Sequence, residues 1–210
     1  MRLSFAPLAA AFATFACGGS PETAPAPAPG GPSGAGAPSA PRPLIAAHEQ
    51  YYDIDGSSAG ALRDQIHRLG PKDESGQSRD AMTVWSLEWT FGTAQRSDSC
   101  ALRDVKVTLD VTTTLPRWKP PATVTQRLID SWRTYLEHVK QHETGHRVIA
   151  ERNARELMSA LGAMRGSSCQ KLSDDASRRA EEIVADGRSR NRAYDVETKH
   201  GQTQGVVLNP

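Results

Sequence analysis

Along this chain the spacing of apolar residues switches between a two-residue and a three-to-four-residue repeat, and each switch predicts a different element. Asp55-Gly56-Ser57 offers a turn and a helix cap. Ala61, Leu62, Ile66 and Leu69 then follow at helical spacing until Gly70-Pro71 stops the run. Lys72 to Asp80 is polar, contains Gly76 and reads as a loop. The period then shortens. Trp85, Leu87, Trp89 and Phe91 alternate with Ser86, Glu88 and Thr90, and Val105, Val107, Leu109, Val111 and Thr113 repeat the alternation. The polar segment Gly92 to Asp98 is short enough to join these runs as an antiparallel pair. A small, largely antiparallel sheet is the expectation.

Beyond Pro120-Pro121 the long period returns. Thr123 or Thr125 can cap a helix whose apolar stripe is Leu128, Trp132, Tyr135, Leu136, Val139, Ile149, Leu157 and Leu161, ending near Gly162 or Gly166. Ser173 opens a further helix with Ala176, Ala180, Ile183 and Val184 on one face, ending near Gly187. From Ser189 onward periodicity is nearly absent until Val206-Val207-Leu208, so that tail reads as non-helical. Strands followed by helices make the class α+β.

Composition bounds this picture. A chain of 210 residues with 38% hydrophobic content supports one ordinary core. The balance of 25 basic against 24 acidic residues gives no surplus of cations for phosphate, which argues against a nucleic-acid partner. Residues 1–16 have the form of a removable export signal, with Arg2 ahead of the apolar stretch Leu3 to Ala16. Residues 17–43 collapse to Pro, Ala, Gly and Ser, the composition of a tether, which leaves 44–210 as the folded domain. Ala16-Cys17-Gly18-Gly19-Ser20 resembles a lipobox, although Thr14 and Phe15 depart from the usual pattern, so Cys17 is a lipidation candidate. Lipidation of Cys17 leaves Cys100 and Cys169 as an even pair in an oxidising compartment, where a disulfide is expected in preference to two buried thiols. The protein is then exported, to the periplasm or cell envelope as a lipoprotein or to the exterior, and meets a membrane only through its anchor.

The candidate chemistry lies on the long helix, in His142-Glu143-Thr144-Gly145-His146. Residues four apart share a helix face, so the two imidazoles can chelate one Zn2+ ion, while Glu143 can act as general base on a water activated by that ion. The stripe Leu136, Val139 and Ile149 turns His142 and His146 inward, where unpaired imidazoles are costly to desolvate. The bland alternative is a pair of core histidines satisfied by backbone carbonyls. Gly145 costs about 1 kcal/mol against Ala in a helix, which suggests that something must approach closely there. A catalytic zinc needs a third protein ligand. His200 is the first candidate, and Asp195 the second, as ligand or as a group orienting one. Glu182, spaced four from Asp186, is third because it lies opposite the Ile183/Val184 face. Tyr194 is a candidate donor to a developing oxyanion. His138 reads as a supporting residue behind the ligands, and Trp118, flanked by Pro116 and Pro120-Pro121, as a candidate cleft wall.

Taken together, Tyr51-Tyr52-Asp53-Ile54-Asp55-Gly56, Trp132 ahead of the His-Glu motif, and Tyr194-Asp195 followed by Thr198, His200 and Gly201 resemble a family of secreted bacterial proteins, domain of unknown function 922, classed as predicted zinc-dependent proteases. The resemblance implies a zincin-like fold and peptidase chemistry carried by His142, Glu143 and His146. The expected substrate is a peptide or protein, or an amide of peptidoglycan. The rival reading is a non-catalytic envelope lipoprotein with a structural or sensing zinc site.

Overall fold

A computed structural model describes residues 41–208; the export signal, Cys17 and nearly all of the tether lie outside the described residues. The elements run β1 (Leu44–Ile54), α1 (Ala59–Leu69), β2 (Met82–Arg96), β3 (Ser99–Trp118), α2 (Gln126–Ala163), the two-residue strand β4 (Arg165–Gly166), α3 (Cys169–Thr198) and a 3-10 turn (Gln202–Gln204). The fold is α+β, three helices with a small sheet of order β1-β3-β2 and β4 paired to β3.

The two alternating runs pair antiparallel, with Trp85 opposite Val111 and Leu87 opposite Leu109. Their connection is tighter than Gly92 to Asp98. The ladder continues to Arg96 opposite Ser99, leaving Ser97-Asp98 as the turn, and at the register shift between Thr90 and Gly92 two residues of β3, Asp104 and Val105, stand opposite Phe91. The sheet itself is mixed and not largely antiparallel, because β1 pairs parallel with β3 from Leu44 opposite Thr108 to Ile54 opposite Trp118. A parallel neighbour needs a crossover, and α1 with β2 provides it. β1 is exposed along almost its whole length, with only Ile54 buried, so it carries no alternation that the sequence could have revealed.

Thr125 caps α2 and accepts a bond from the Leu128 N–H. α3 departs from expectation at both ends. Its cap is Ser168, not Ser173, and it runs through Gly187 to Thr198. Gly187 is no stop signal: it is buried, and a Cβ there would lie 2.2 Å from the Asn153 side-chain nitrogen of α2. The glycine lets two helices approach closely.

Two apolar cores flank the middle of α2. One gathers Leu109, Val111, Leu157, Leu161 and Ala180. The other gathers Ile54, Leu62, Leu115, Trp132, Tyr135 and Val139. Between Val139 and Ala150 the inward face of α2 carries His142, Glu143 and His146, all buried. No described helix is long and apolar enough to cross a membrane.

Cys100 at the start of β3 and Cys169 at the start of α3 form a disulfide across a sequence separation of 69 residues. Closing a loop of that length removes unfolded-state entropy worth about 4 kcal/mol. Reduction is therefore expected to lower the unfolding free energy by about 2–5 kcal/mol; urea titrations with and without reductant, read by tryptophan fluorescence, measure it.

Candidate metal centre

His142 and His146 stand one turn apart on α2 and aim their Nε2 atoms at one point, 3.2 Å from each other. α3 crosses above them and brings Asp195, whose Oδ1 lies 3.3 Å from His142 Nε2 and 3.1 Å from His146 Nε2. The three atoms make a nearly equilateral triangle. Donors bound at about 2.0–2.1 Å around a tetrahedral ion stand about 3.3–3.4 Å apart, so the spacing of the three atoms fits a zinc ion. Two imidazole nitrogens and one carboxylate oxygen are also the donor types that zinc accepts. Among the described residues, these three form a cluster able to hold a metal ion.

The His146 ring is oriented from behind. Its Nδ1–H donates to the Asn191 side-chain oxygen at 2.9 Å, which turns Nε2 toward Asp195. Asn191 lies one turn before Asp195, so a single face of α3 supplies both contacts. Burial opposes ionisation of Asp195, but hydrogen bonds from His142 and His146, with His146 and His200 close by, outweigh it and hold the carboxyl well below the usual range. Burial likewise opposes charge on His146, and the Asp195 carboxylate overcomes it, raising the imidazole's proton affinity.

Glu143 sits on the border between this triangle and the sheet. The Thr83 hydroxyl at the start of β2 donates to its Oε2 at 2.7 Å, and the Thr113 hydroxyl stands 3.0 Å from that of Thr83. Burial raises the Glu143 pKa; the Thr83 bond and the two imidazoles pull it back, and Asp195 adds to the rise. Glu143 and the three donors all line a cleft of about 340 Å³, whose far wall includes Arg63 and Asp80. That wall is pinned. Arg63 holds Asp80 through Nη1 at 2.6 Å and Nη2 at 3.2 Å, the Tyr135 hydroxyl donates to the same carboxylate at 2.8 Å, and the Tyr52 hydroxyl donates to the Asp80 carbonyl at 2.6 Å.

Residues 49–201 match a family described as "Bacterial protein of unknown function (DUF922)". The chain belongs to this family. No curated protein and no solved structure matches it. The family description carries no activity, so the chemistry of this DUF922 protein rests on its geometry.

That geometry brings His142, Glu143, His146 and Asp195 together and leaves His200 at the rim. His200 is about half exposed, with Nδ1 3.3 Å from Asp195 Oδ1, and lies outside the three-donor cluster. Tyr194 and Asp195 are helical, not in a loop after the last helix. The Tyr194 hydroxyl donates to the His142 carbonyl at 2.9 Å, and its ring stacks on the His142 ring with centroids 5.1 Å apart. It is not among the residues lining the cleft, and its contacts are with His142. Glu182 is exposed and pairs with Arg179 at 3.1 Å, well away from the cluster. Trp118 packs edge-on against Trp132 and lines a different hollow. Thr83 and Asn191 escaped the sequence reading. A hydroxyl on an alternating strand and an amide in a polar stretch carry no motif, although Asn191, one turn before Asp195, becomes visible once α3 is known to continue.

Gly145 now has its reason: a Cβ there would lie 2.2 Å from the Tyr194 hydroxyl oxygen. Gly145→Ala gains about 1 kcal/mol of helix propensity but overpacks a half-buried ring contact, which costs about 1–3 kcal/mol. The expected outcome is a net loss of stability, seen as a lower urea midpoint at unchanged slope; a more stable variant would contradict the close approach.

Proposed function

We propose that this protein is an exported, zincin-like, zinc-dependent peptidase. The observation that carries the reading is a buried carboxylate, Glu143, beside a preformed three-donor triangle that opens onto a cleft. A zinc ion held by His142, His146 and Asp195 would supply a Lewis acid able to polarise an amide carbonyl and acidify water. Glu143 takes the proton from the attacking water and returns it to the departing nitrogen. Its burial suits both transfers, because a raised proton affinity makes the carboxylate a better base than an exposed one. Thr83 fixes the carboxylate through Oε2, which leaves Oε1 for the water.

Asp195 is favoured over His200 as third ligand because its oxygen completes the triangle. His200 has an accessible position on the cleft, where it can contact substrate. The Cys100–Cys169 disulfide supports an oxidising compartment, in keeping with the export signal and with Cys17 as a lipid anchor. The substrate class is an amide in an extended peptide or protein, and a peptidoglycan cross-link presents the same bond.

Glu143→Gln preserves the shape of the side chain and removes the base. It is expected to retain one equivalent of zinc by metal analysis while peptide-library turnover falls by about 10²–10⁴-fold. Asp195→Ala should instead lose the metal. Undiminished turnover in Glu143→Gln would overturn the mechanism. The rival reading, a non-catalytic zinc site, has the proximity of His200 to Asp195 in its favour; X-ray absorption showing four protein ligands with His200 among them would support it.

A further inference from the structure

The matched family segment ends at Gly201, and the chain then does something that the ligand set alone does not require. α3 is terminated by Lys199 in the left-handed region (φ 49°), followed by His200 (φ 53°) and Gly201 (φ 82°). Non-glycine residues adopt this region only at a cost. The reversal turns residues 202–208 back along α2. A Cβ on Gly201 would lie 3.1 Å from Cγ of His142, and one on Gly205 would lie 2.5 Å from Nδ1 of His138, so both glycines allow the strand of chain to lie directly against histidine rings. Gly205 is itself held, because His138 Nδ1 meets its carbonyl at 2.7 Å. Val206 and Leu208 anchor the end in the core.

Between the two glycines lies Gln204. Its side-chain oxygen accepts from His142 Nδ1–H at 2.8 Å, its side-chain nitrogen donates to the Tyr194 hydroxyl at 2.9 Å, and that hydroxyl donates to the His142 carbonyl at 2.9 Å. The three bonds close a ring that begins and ends on His142. One amide therefore addresses both the imidazole and, through Tyr194, the backbone that carries it.

We propose that Gln204 is a positioning residue for the metal centre, keeping a proton on Nδ1 of His142, so that Nε2 is the nitrogen offered to a metal ion, and fixing the ring's rotation. An imidazole whose Nδ1 carries the proton must present Nε2 as its lone pair, and a hydrogen-bonded Nδ1–H also removes rotational freedom about the Cβ–Cγ bond. Gln204 does for His142 what Asn191 does for His146, but from the C-terminal turn and not from α3. Both partners are neutral amides, so Asp195 remains the anion that α3 contributes to the triangle. The proposal rests on the zinc-site reading for its consequence, although its structural part holds in the metal-free protein.

Two variants of the full chain separate these parts. Gln204→Leu keeps the bulk and removes both bonds. Gln204→Glu keeps the acceptor for His142. In metal-free protein at a pH where the imidazoles are neutral, long-range ¹⁵N–¹H spectra should show His142 as the Nδ1–H tautomer in the native chain and in Gln204→Glu, and a tautomer mixture in Gln204→Leu. Competition with a chromophoric chelator should show zinc bound about 10- to 100-fold more weakly by Gln204→Leu, with Gln204→Glu within about threefold of native. Circular dichroism identifies loss of fold, and a misfolded Gln204→Leu leaves the tautomer and affinity of Gln204→Glu to decide. Native tautomer and native zinc affinity in Gln204→Leu would overturn the proposal, as would failure of Gln204→Glu to keep either. A native chain that binds no zinc would overturn the proposed function instead, while the tautomer comparison would still decide the role of Gln204.

Discussion

The constraint on which the rest of this structure depends is the cost of burying two imidazoles and a carboxylate in the middle of a long helix. Between the two apolar cores, α2 turns His142, Glu143 and His146 inward, each less than a tenth exposed. Unpaired, such groups would cost several kcal/mol in total. Each is instead provided with partners from a different element: Thr83 from β2 for Glu143, Asn191 and Asp195 from α3 for His146, and Gln204 from the C-terminal turn for His142. The β2 edge, the far half of α3 and the C-terminal turn are arranged around that requirement. This is why α3 becomes polar after Val184: its partner there is the buried polar face of α2 and not an apolar core.

Close approach is what makes the pairing feasible, and it is obtained at two glycines. Gly145 on α2 receives the Tyr194 hydroxyl, and Gly187 on α3 receives the Asn153 amide. Each sacrifices about 1 kcal/mol of helix propensity. In exchange the helices come near enough for Asp195 to reach both imidazoles and for the Tyr194 ring to stack on His142. The Arg190 side chain, bonded to Glu156 at 2.6 Å and to Asn153 at 3.0 Å, continues this polar seam away from the cleft.

How much of this was legible follows from the same physics. The alternation of Trp85 to Phe91 and of Val105 to Thr113 is imposed by one buried sheet face, and both runs proved to be paired strands. The α2 stripe is imposed by two cores, and its cap at Thr125 was within the pattern's reach. β1 was not legible, since a nearly fully exposed edge strand is under no such pressure, and its parallel pairing reflects a crossover that no local spacing encodes. The end of α3 is not legible at Gly187, because a packing glycine and a stop glycine are the same letter. A helix ended there leaves Tyr194 and Asp195 in a loop and favours His200, whereas the helix that runs to Thr198 puts Asn191 and Asp195 on one face. Gln204 had no local signal, since its role arises from a chain reversal at three consecutive positive-φ residues.

The proposed division of labour between the two carboxylates rests on where each is held. Asp195 accepts from two imidazoles and stands near His200, so the ionised form is favoured despite burial. Glu143 has one hydroxyl donor, deeper burial and Asp195 as a like-charged neighbour, all in a site where one negative charge is already committed. Two carboxyl groups in one site whose surroundings push their proton affinities apart take different roles. The one kept ionised is suited to hold a cation, and the one with the higher proton affinity is suited to accept and return a proton. Exchanging the roles would require Glu143 to leave Thr83 and turn toward the triangle, and would leave Asp195, the weaker base, to move the proton. The environments of these two side chains, more than the five-residue motif, favour Glu143 as the base.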